Sequence, residues 1–545
     1  MSDPEAPDAL PPPEGAAELI QTDYQIGQDN VRPFGLDIHN PVFVVSGLTV
    51  VAFVIGTLAF QTQVGPAFTA LRGFLTSNLD WFFLLAGNVF VLVCLGLLVS
   101  PLGRVRIGGA EATPDYSYLG WFAMLFAAGM GIGLMFFGVL EPVYYFGTPW
   151  GDQPLGRDIG VVDGVLADPA TIEAARRTAM AATIFHWGLH PWAMYAVVAL
   201  SLAIFAYNKG LPLTVRSVFY PVFGERVWGW PGHVIDTLAV FATLFGLATS
   251  LGIGAQQANA GLSYVAGIEV STTAQVLLIV AITAMALVSV LRGLDGGVKV
   301  LSEINMVLAA ILLLFVLLVG PTMTTIQHFF SNLGAYATDI LPLSNPVGRD
   351  DDGFRQGWTS FYWAWWISWS PFVGMFIARV SRGRTVREFI FCVLVIPTLV
   401  STLWMTTFGG GAIQQVIERV GDSAVYGYVI AAYTPELSLF GMLSELPLST
   451  ITSWLAIVLV IVFFVTSSDS GSLVIDTITA GGKIDAPVAQ RVFWVTFEGL
   501  VAAALLIGGG LVALQAMAVS TGFPFAIVLL LACWALIKGL MSEPR

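Results

Sequence analysis

Twelve stretches of about 20 or more mostly apolar residues restrict this chain to a membrane. A helix needs about 20 such residues to cross the hydrocarbon core of a bilayer. Only 11% of the residues are charged, whereas soluble domains carry about a quarter. The sequence therefore predicts an all-α polytopic membrane protein. The predicted transmembrane helices are residues 41–61, 80–100, 117–146, 178–206, 233–256, 270–292, 300–320, 357–380, 387–408, 450–470, 490–509 and 513–538.

The distribution of lysine and arginine among the loops predicts the orientation. With a cytoplasmic N-terminus, sixteen of the 23 basic residues fall on the cytoplasmic side, as the positive-inside rule requires. Twelve spans return the C-terminus to the same side, so we expect a cell-membrane protein with both termini cytoplasmic. Residues 1–38 are acidic and proline-rich and are predicted to form a disordered cytosolic tail. The stretch 322–336 is too polar to cross and is predicted to form an amphipathic helix at the outer interface.

The eighth predicted span carries the sequence WAWWISWSPF, residues 363–372. At 100° per residue, Trp365, Trp366 and Trp369 share one face about 100° wide. Trp363 lies about 60° beyond that face. The cluster begins roughly 9 Å into the helix, which is deeper than the interfacial belt that usually holds membrane tryptophans. The face therefore forms either the wall of a cavity or a packed helix contact.

A second aromatic cluster lies in FHWGLHPWAMY, residues 185–195. Trp187, Trp192 and Tyr195 occupy an arc of about 140° on the fourth span. Two helices that each present aromatic rings can enclose a cation that donates no hydrogen bonds, such as a quaternary ammonium or sulfonium group. The two clusters together predict an aromatic box for such an ion.

Two other features of the same stretch concern its local structure. Pro191 removes a helix N–H and predicts a kink. His186 and His190 have the i, i+4 spacing of zinc ligands, but no acidic residue or cysteine lies near them in the sequence. Hydrogen bonding inside the bundle is therefore favoured over metal binding.

Glycines interrupt the third span in AAGMGIGLMFFG, residues 127–138. Gly129 and Gly133 have the spacing of a close helix contact. The alternative is an unwound segment whose free N–H groups bind a ligand carboxylate, as in many secondary transporters. Glu141 and Pro142 follow near the outer end of the span, with no role assigned.

Hydroxyl side chains enter the tenth span in FFVTSSDSGS, residues 463–472. Hydroxyl and carbonyl oxygens are ligands suited to hard cations such as Na⁺. Alternatively, these hydroxyls bond to carbonyls one turn back along their own helix.

These stretches together resemble the betaine/choline/carnitine transporter family, over about residues 40–540. The resemblance rests on WAWWISWSPFVGMFIARVSRGRTVREF, AAGMGIGLMFFGVLEP and HWGLHPWAMY. It implies two peripheral helices in 39–110, followed by inverted five-helix repeats in 111–345 and 346–545. It also implies a homotrimer in the lipid bilayer that carries a small onium compound by alternating access.

The resemblance also implies which residues form the sites. One sodium site would use Ala127, Met130, Phe463, Thr466 and Ser467. A second would use Thr243 and Phe372, but Leu247 stands where another threonine is expected, so this site is expected to be incomplete. The substrate-binding residues implied are Trp187, Trp192, Tyr195, Trp363, Trp365, Trp366, Trp369, Met130, Gly131 and Gly133.

The identity of residue 133 bears on the substrate. Relatives that take choline tend to carry an aspartate where this chain has Gly133. A zwitterion brings its own counter-charge, so the resemblance favours sodium symport of a betaine-like zwitterion, such as glycine betaine or dimethylsulfoniopropionate. The alternatives are a sodium-independent exchanger of the carnitine type, a choline carrier, a receptor and a membrane enzyme. The enzyme is disfavoured because the spans contain no catalytic carboxylate pair, and we expect no cofactor beyond coupling Na⁺ and no nucleic-acid partner.

Overall fold

The computed structural model describes residues 19–129, 131–148, 153–296 and 298–544, and this part of the chain is predominantly α-helical. There are two short antiparallel strand pairs, of which β1–β2 precedes the first α-helix and β3–β4 lies between the fourth and fifth α-helices. The strands are β1 Asn30–Val31, β2 Ile38–His39, β3 Val161–Val162 and β4 Val165–Leu166. The first nine helices are α1 Asn40–Ala59, α2 Gln61–Val99, α3 Tyr118–Gly129, α4 Ile132–Gly147, α5 Pro169–Trp187, α6 Leu189–Ala203, α7 Tyr220–Phe223, α8 Trp230–Ala266 and α9 Thr272–Gly296. The others are α10 Val298–Val319, α11 Thr322–Ser344, α12 Asp352–Phe354, α13 Ser360–Val380, α14 Val386–Met405, α15 Gly411–Glu418, α16 Ser438–Ser444, α17 Ser449–Thr479 and α18 Val488–Met541.

Nine helical stretches among the described residues are long and apolar enough to cross a membrane, whereas the sequence predicts twelve. The difference arises in three places. The third predicted span is divided into α3 and α4, of 12 and 16 residues. Helix α13 has 21 residues, but its tryptophans and serines lower its hydropathy. The last two predicted spans are joined in α18, which bends at Gly509 and Gly510. The chain is therefore an all-α, multi-pass membrane protein.

The fourth predicted span is interrupted at Gly188, three residues before the expected kink at Pro191. A Cβ atom at Gly188 would lie 2.7 Å from the carbonyl oxygen of Ile184. The N–H of Leu189, released by the break, donates a hydrogen bond to the Tyr336 hydroxyl at 3.0 Å. Pro191 falls in the first turn of α6, where the N–H that proline lacks would have no partner within the helix. The break therefore lies directly after Trp187, at the end of α5.

Part of the predicted disordered tail packs against the helices. Tyr24 stacks on Trp228, with ring centroids 4.3 Å apart. Asp37 pairs with Lys483 at 2.6 Å. These contacts tie the N-terminal segment to the loop before α8 and to the loop between α17 and α18. Residues 1–18 of the predicted tail lie outside the described residues.

Helix α11 extends beyond the predicted amphipathic segment 322–336. Its polar side faces α5 and the end of α14, where Asn332 accepts a hydrogen bond from Arg176 at 3.2 Å and donates one to Thr406 at 3.0 Å. Its other side exposes the apolar residues Met323 and Phe330. This distribution gives α11 the amphipathic character that the sequence predicts.

Helices α13 and α18 approach each other closely at Gly522. A Cβ atom there would lie 2.6 Å from the carbonyl oxygen of Ala364 and 3.0 Å from its Cα. We expect Gly522→Ala to destabilise the protein by about 1–3 kcal/mol, because the backbone of one helix must move. The melting temperature of the purified protein in detergent measures this effect. Gly334→Ala is the control, since a Cβ at Gly334 meets nothing within 4 Å. Equal melting temperatures for wild type and Gly522→Ala would contradict the contact.

Candidate functional site

The two aromatic clusters predicted from the sequence meet around Trp366. Its ring centroid lies 5.0 Å from that of Trp187 and 5.5 Å from that of Tyr195, with the ring planes nearly perpendicular in both pairs. Trp365 lies 6.0 Å away on the same helix. Perpendicular pairs place the positive edge of one ring against the negative face of another. The end of α5 and the middle of α6 are therefore joined to the middle of α13 by contacts between rings.

Two further rings extend this group. Trp192 lies edge-on to Tyr195 at 5.5 Å, and Trp369 lies edge-on to Trp365 at 6.4 Å. We refer to the resulting group as the aromatic cluster. The aromatic cluster consists of Trp187, Trp192, Tyr195, Trp365, Trp366 and Trp369.

Trp363 lies apart from the aromatic cluster. Its indole is fully buried and stacks on His190, with centroids 5.4 Å apart and planes 15° from parallel. A Cβ atom at Gly87 would lie 2.7 Å from its Nε1, so Trp363 packs closely against α2. The offset of about 60° that the helical period predicts for Trp363 accounts for this separate position.

Small exposed areas mark one face of α13. Trp365, Trp366, Trp369 and Phe372 keep 5%, 6%, 9% and 8% of their surface accessible, whereas Ile367 between them keeps 0%. Close-packed interiors leave few voids that admit a water-sized probe. The accessible residues recur at helical spacing, which indicates a narrow cavity along this face.

Gly133 of the third span contacts the aromatic cluster. Helix α3 ends at Gly129 and α4 begins at Ile132, so the span is interrupted there. A Cβ atom at Gly133 would lie 2.6 Å from Cη2 of Trp187 and 3.1 Å from Cη2 of Trp365. Gly133 therefore touches two rings of the aromatic cluster.

This contact makes Gly133 sensitive to substitution. We expect Gly133→Ala to weaken ligand binding about tenfold, because the new methyl displaces the rings of Trp187 and Trp365 and such overpacking costs about 1–3 kcal/mol. Isothermal titration calorimetry with glycine betaine, a ligand that the family resemblance implies, measures the change. Gly120→Ala in α3 is the control, because its Cβ would make an ordinary contact, 3.4 Å from Ser117. Unchanged affinity in Gly133→Ala would show that the glycine does not border the ligand.

Two hydroxyls of α17 keep accessible surface inside the bundle. Thr466 and Ser467 each expose 9%, whereas Val465 and Asp469 on either side are buried. The Thr466 hydroxyl lies 3.0 Å from the Val462 carbonyl oxygen and 3.1 Å from the Phe463 carbonyl oxygen, to which it can donate, and it accepts from the Asn305 amide at 3.0 Å. Among the described residues, the Ser467 hydroxyl has no hydrogen-bond partner. One hydroxyl of the predicted sodium site is thus used locally and the other is free.

The other ligands predicted for this sodium site lie at the interruption of the third span. Ala127 belongs to the last turn of α3, and only its backbone is described. Met130 lies outside the described residues. The geometry of the complete ligand set therefore stays a prediction.

The predicted second sodium site has apolar surroundings. The Thr243 hydroxyl donates to the Ala239 carbonyl of its own helix at 2.8 Å. Leu247 packs against α17, where a Cβ atom at Gly471 would lie 2.1 Å from Leu247 Cδ1. Phe372 lies edge-on to Trp369 at 5.4 Å. Leu247 thus occupies the position where the family resemblance implies a threonine.

Helix α8 connects the aromatic cluster to its surroundings. The Gly246 carbonyl oxygen accepts a hydrogen bond from Trp369 Nε1 at 2.9 Å, and the Ser250 hydroxyl accepts one from Trp365 Nε1 at 3.2 Å. The same helix contacts α17 through Leu247. A movement of α8 relative to α13 would therefore disturb both the rings and the helix that carries Thr466 and Ser467.

Glu141 was left without a role by the sequence, and it proves to be the centre of a hydrogen-bond network behind the aromatic cluster. Its side chain is fully buried in α4. One carboxylate oxygen lies 2.5 Å from His186 Nδ1 and accepts from the Tyr145 hydroxyl at 3.0 Å. The other accepts from Trp187 Nε1 at 2.9 Å and from the Tyr362 hydroxyl at 2.7 Å. An ionisable residue within an apolar span is a functional candidate on that ground alone, and this was the available signal.

An all-α bundle with interrupted helices around a buried cavity has the organisation of a secondary transporter. Residues 41–545 match the BCCT (betaine/carnitine/choline) transporter family, and the chain belongs to that family. It is therefore a membrane transporter and not an enzyme.

Similar proteins include three bacterial transporters. A glycine betaine/proline/choline transporter of Vibrio parahaemolyticus is 63% identical, covering 98% of this chain and 96% of its own length. Glycine betaine transporter 1 of the same species is 55% identical, covering 96% and 98%. The glycine betaine transporter OpuD of Bacillus subtilis is 40% identical, covering 93% and 95%.

Proposed function

We propose that this protein imports a betaine-like zwitterion by sodium symport and alternating access. The observation that carries the proposal is the aromatic cluster, in which rings from two separate parts of the chain surround Trp366 beside a narrow cavity. A methylated onium group presents no hydrogen-bond donor, so ring faces are its natural partners, at about 2 kcal/mol or more per desolvated contact. The names of the similar transporters agree with a substrate of this class.

The carboxylate of a zwitterion needs a separate partner. The interruption between α3 and α4 adjoins the aromatic cluster at Gly133. Helix N-termini present free N–H groups and a positive dipole end. We propose that the substrate carboxylate lies at the start of α4, near Gly131, while the onium group lies against Trp366.

Sodium coupling is supported by the two hydroxyls of α17. Ser467 has no partner among the described residues, and Thr466 retains a lone pair after accepting from Asn305. Hard oxygen atoms in an accessible position suit Na⁺. Because Leu247 fills the position of the second site, we propose one sodium site, at Thr466 and Ser467.

The architecture proposed for transport has twelve crossings. The nine long apolar stretches correspond to twelve spans. The pair α3 and α4 counts as one additional span, α13 counts as another, and α18 is divided into two spans at its bend. We propose that spans 3–7 and 8–12 form the two inverted repeats, that both termini face the cytoplasm of the cell and that three copies assemble.

Uptake by proteoliposomes tests the proposed function. An inward sodium gradient should drive accumulation of labelled glycine betaine, and unlabelled dimethylsulfoniopropionate, carnitine, choline and ectoine are added in turn as competitors. Undiminished uptake in sodium-free buffer would favour a sodium-independent exchanger. Binding without accumulation would identify a receptor, and failure of every onium compound to compete would overturn the substrate class.

A further inference from the structure

The Glu141 carboxylate is saturated with hydrogen-bond donors. An ionised carboxylate offers about four lone-pair positions and only accepts hydrogen bonds. Four groups approach it within 3.0 Å, and none of them is a lysine or an arginine. They are His186 Nδ1, Trp187 Nε1 and the hydroxyls of Tyr145 and Tyr362. A protonated carboxyl group would need His186 Nδ1 or a tyrosine hydroxyl to accept its proton, so the charged form is the one in which all four groups donate to Glu141.

The histidine in this network is assigned as neutral. His186 Nε2 lies 2.9 Å from the Thr359 hydroxyl, which has no other hydrogen-bond partner among the described residues. If Nε2 accepts from this hydroxyl, the Thr359 proton has a partner and Nδ1 carries the proton that faces Glu141. The group around Glu141 then retains one negative charge inside the bundle.

The indole of Trp187 separates this charge from the cavity. Its Nε1 end contacts Glu141 at 2.9 Å, and its Cη2 end adjoins Gly133. Trp366 lies edge-on beside it. A carboxylate that accepts the N–H hydrogen bond increases the negative potential on the indole face. This indole belongs to the aromatic cluster, against which we propose that the onium group lies.

We propose that Glu141, acting through Trp187, supplies the counter-charge that allows this site to bind cationic onium compounds as well as zwitterions. The proposal rests on the proposed function, since it concerns the same site. A quaternary ammonium alcohol such as choline has a net charge of +1, whereas betaine has none. In a medium of low dielectric constant, a fixed negative charge therefore favours choline more than betaine. Glu141 would thus supply the negative charge that choline-carrying relatives tend to have as an aspartate at the position of Gly133.

The test compares two ligands in three variants. In Glu141→Gln, which keeps the shape but removes the charge, choline binding should weaken about tenfold, the effect of a unit charge about 10 Å away at an effective dielectric constant of about 20. Betaine binding should change less than threefold. Glu141→Asp retains the charge, so its choline-to-betaine affinity ratio should stay within about twofold of wild type. Glu498→Gln is the matched control, because Glu498 is another fully buried membrane carboxylate, bonded to Ser468, and its ratio should equal that of wild type.

Calorimetry with both ligands, on protein that elutes as a single species from a sizing column, separates the outcomes. If Glu141→Gln loses the same factor of affinity for choline and for betaine, the ratio of the two affinities equals that of wild type. This result would show that Glu141 has a purely structural role and would overturn the proposal. If Glu141→Gln does not fold, Glu141→Asp decides the question. A choline-to-betaine affinity ratio in Glu141→Asp that is clearly lower than in wild type would overturn the proposal, because this variant keeps the charge. Wild-type protein that binds betaine but not choline also contradicts the proposal, whereas wild-type protein that binds neither contradicts the proposed function itself.

Discussion

Trp366→Ala is expected to weaken the binding of glycine betaine by more than tenfold. The substitution removes the ring that contacts both Trp187 and Tyr195. It also removes the N–H that donates to the His186 carbonyl oxygen at 2.9 Å, directly before the break at Gly188. Loss of a desolvated cation–π contact costs about 2 kcal/mol, and loss of the aromatic pairs adds about 0.5–1.5 kcal/mol for each. More than 1.4 kcal/mol corresponds to more than tenfold in the dissociation constant.

Equilibrium binding of labelled betaine to purified protein measures this effect. Trp454→Ala is the matched control, because Trp454 is a half-exposed tryptophan of α17 outside the aromatic cluster. Its affinity should equal that of wild type. Wild-type affinity in Trp366→Ala would place the ligand elsewhere in the protein.

Ser467→Ala is expected to raise the sodium concentration for half-maximal uptake by about tenfold or more. The substitution removes a hydroxyl that has accessible surface and no partner among the described residues. A polar contact to a charged partner contributes about 1.5–3 kcal/mol, or about 10–150-fold in affinity. The maximal uptake rate at saturating sodium should change by a smaller factor than the sodium concentration for half-maximal uptake, since the aromatic cluster is unchanged.

The control for this substitution comes from the same helix. Ser472 donates to the Asp469 carbonyl oxygen at 2.8 Å and is buried, so Ser472→Ala should keep the sodium dependence of wild type. Uptake is measured in proteoliposomes across a range of sodium concentrations at fixed ionic strength. The same sodium dependence in Ser467→Ala and wild type would remove Ser467 from the coupling site.

The helical period was sufficient to predict which face of α13 contributes to the aromatic cluster. Side chains on a helix have fixed angular positions, so Trp365, Trp366 and Trp369 were expected on one face and Trp363 about 60° beyond it. The family resemblance nevertheless placed Trp363 among the substrate-binding residues. The contacts around Trp366 and the separate packing of Trp363 have this arrangement. The interruption of the third span at its glycines was likewise one of two predicted arrangements.

The break at Gly188 could not be predicted in this way. Proline was the visible helix breaker, but Pro191 is compatible with the first turn of a new helix. The break is stabilised by the Tyr336 hydroxyl, about 150 residues away in the chain. Tertiary contacts of this kind have no local sequence signal. The predicted disordered tail reaches too far along the sequence for a similar reason. Tyr24, within the predicted tail, packs on Trp228, which is distant in sequence.

The role of Glu141 also depends on residues distant in sequence. Tyr145 lies one turn along the same helix, but Trp187 of α5 and Tyr362 of α13 are distant in sequence, and no spacing rule relates these two residues to Glu141. The sequence shows only that a carboxylate lies in an apolar span. Its position behind Trp187 follows from the packing of three helices.

We propose that aromatic rings surround the onium group of the substrate. Solid-state NMR of betaine carrying ¹³C-labelled methyl groups, bound to the protein in lipid bilayers, tests it directly. Methyl groups held against the faces of Trp187 and Trp366 should show a signal shifted upfield by the ring currents, and this shift should be lost in Trp366→Ala. A bound signal at the same chemical shift as free betaine would contradict the account.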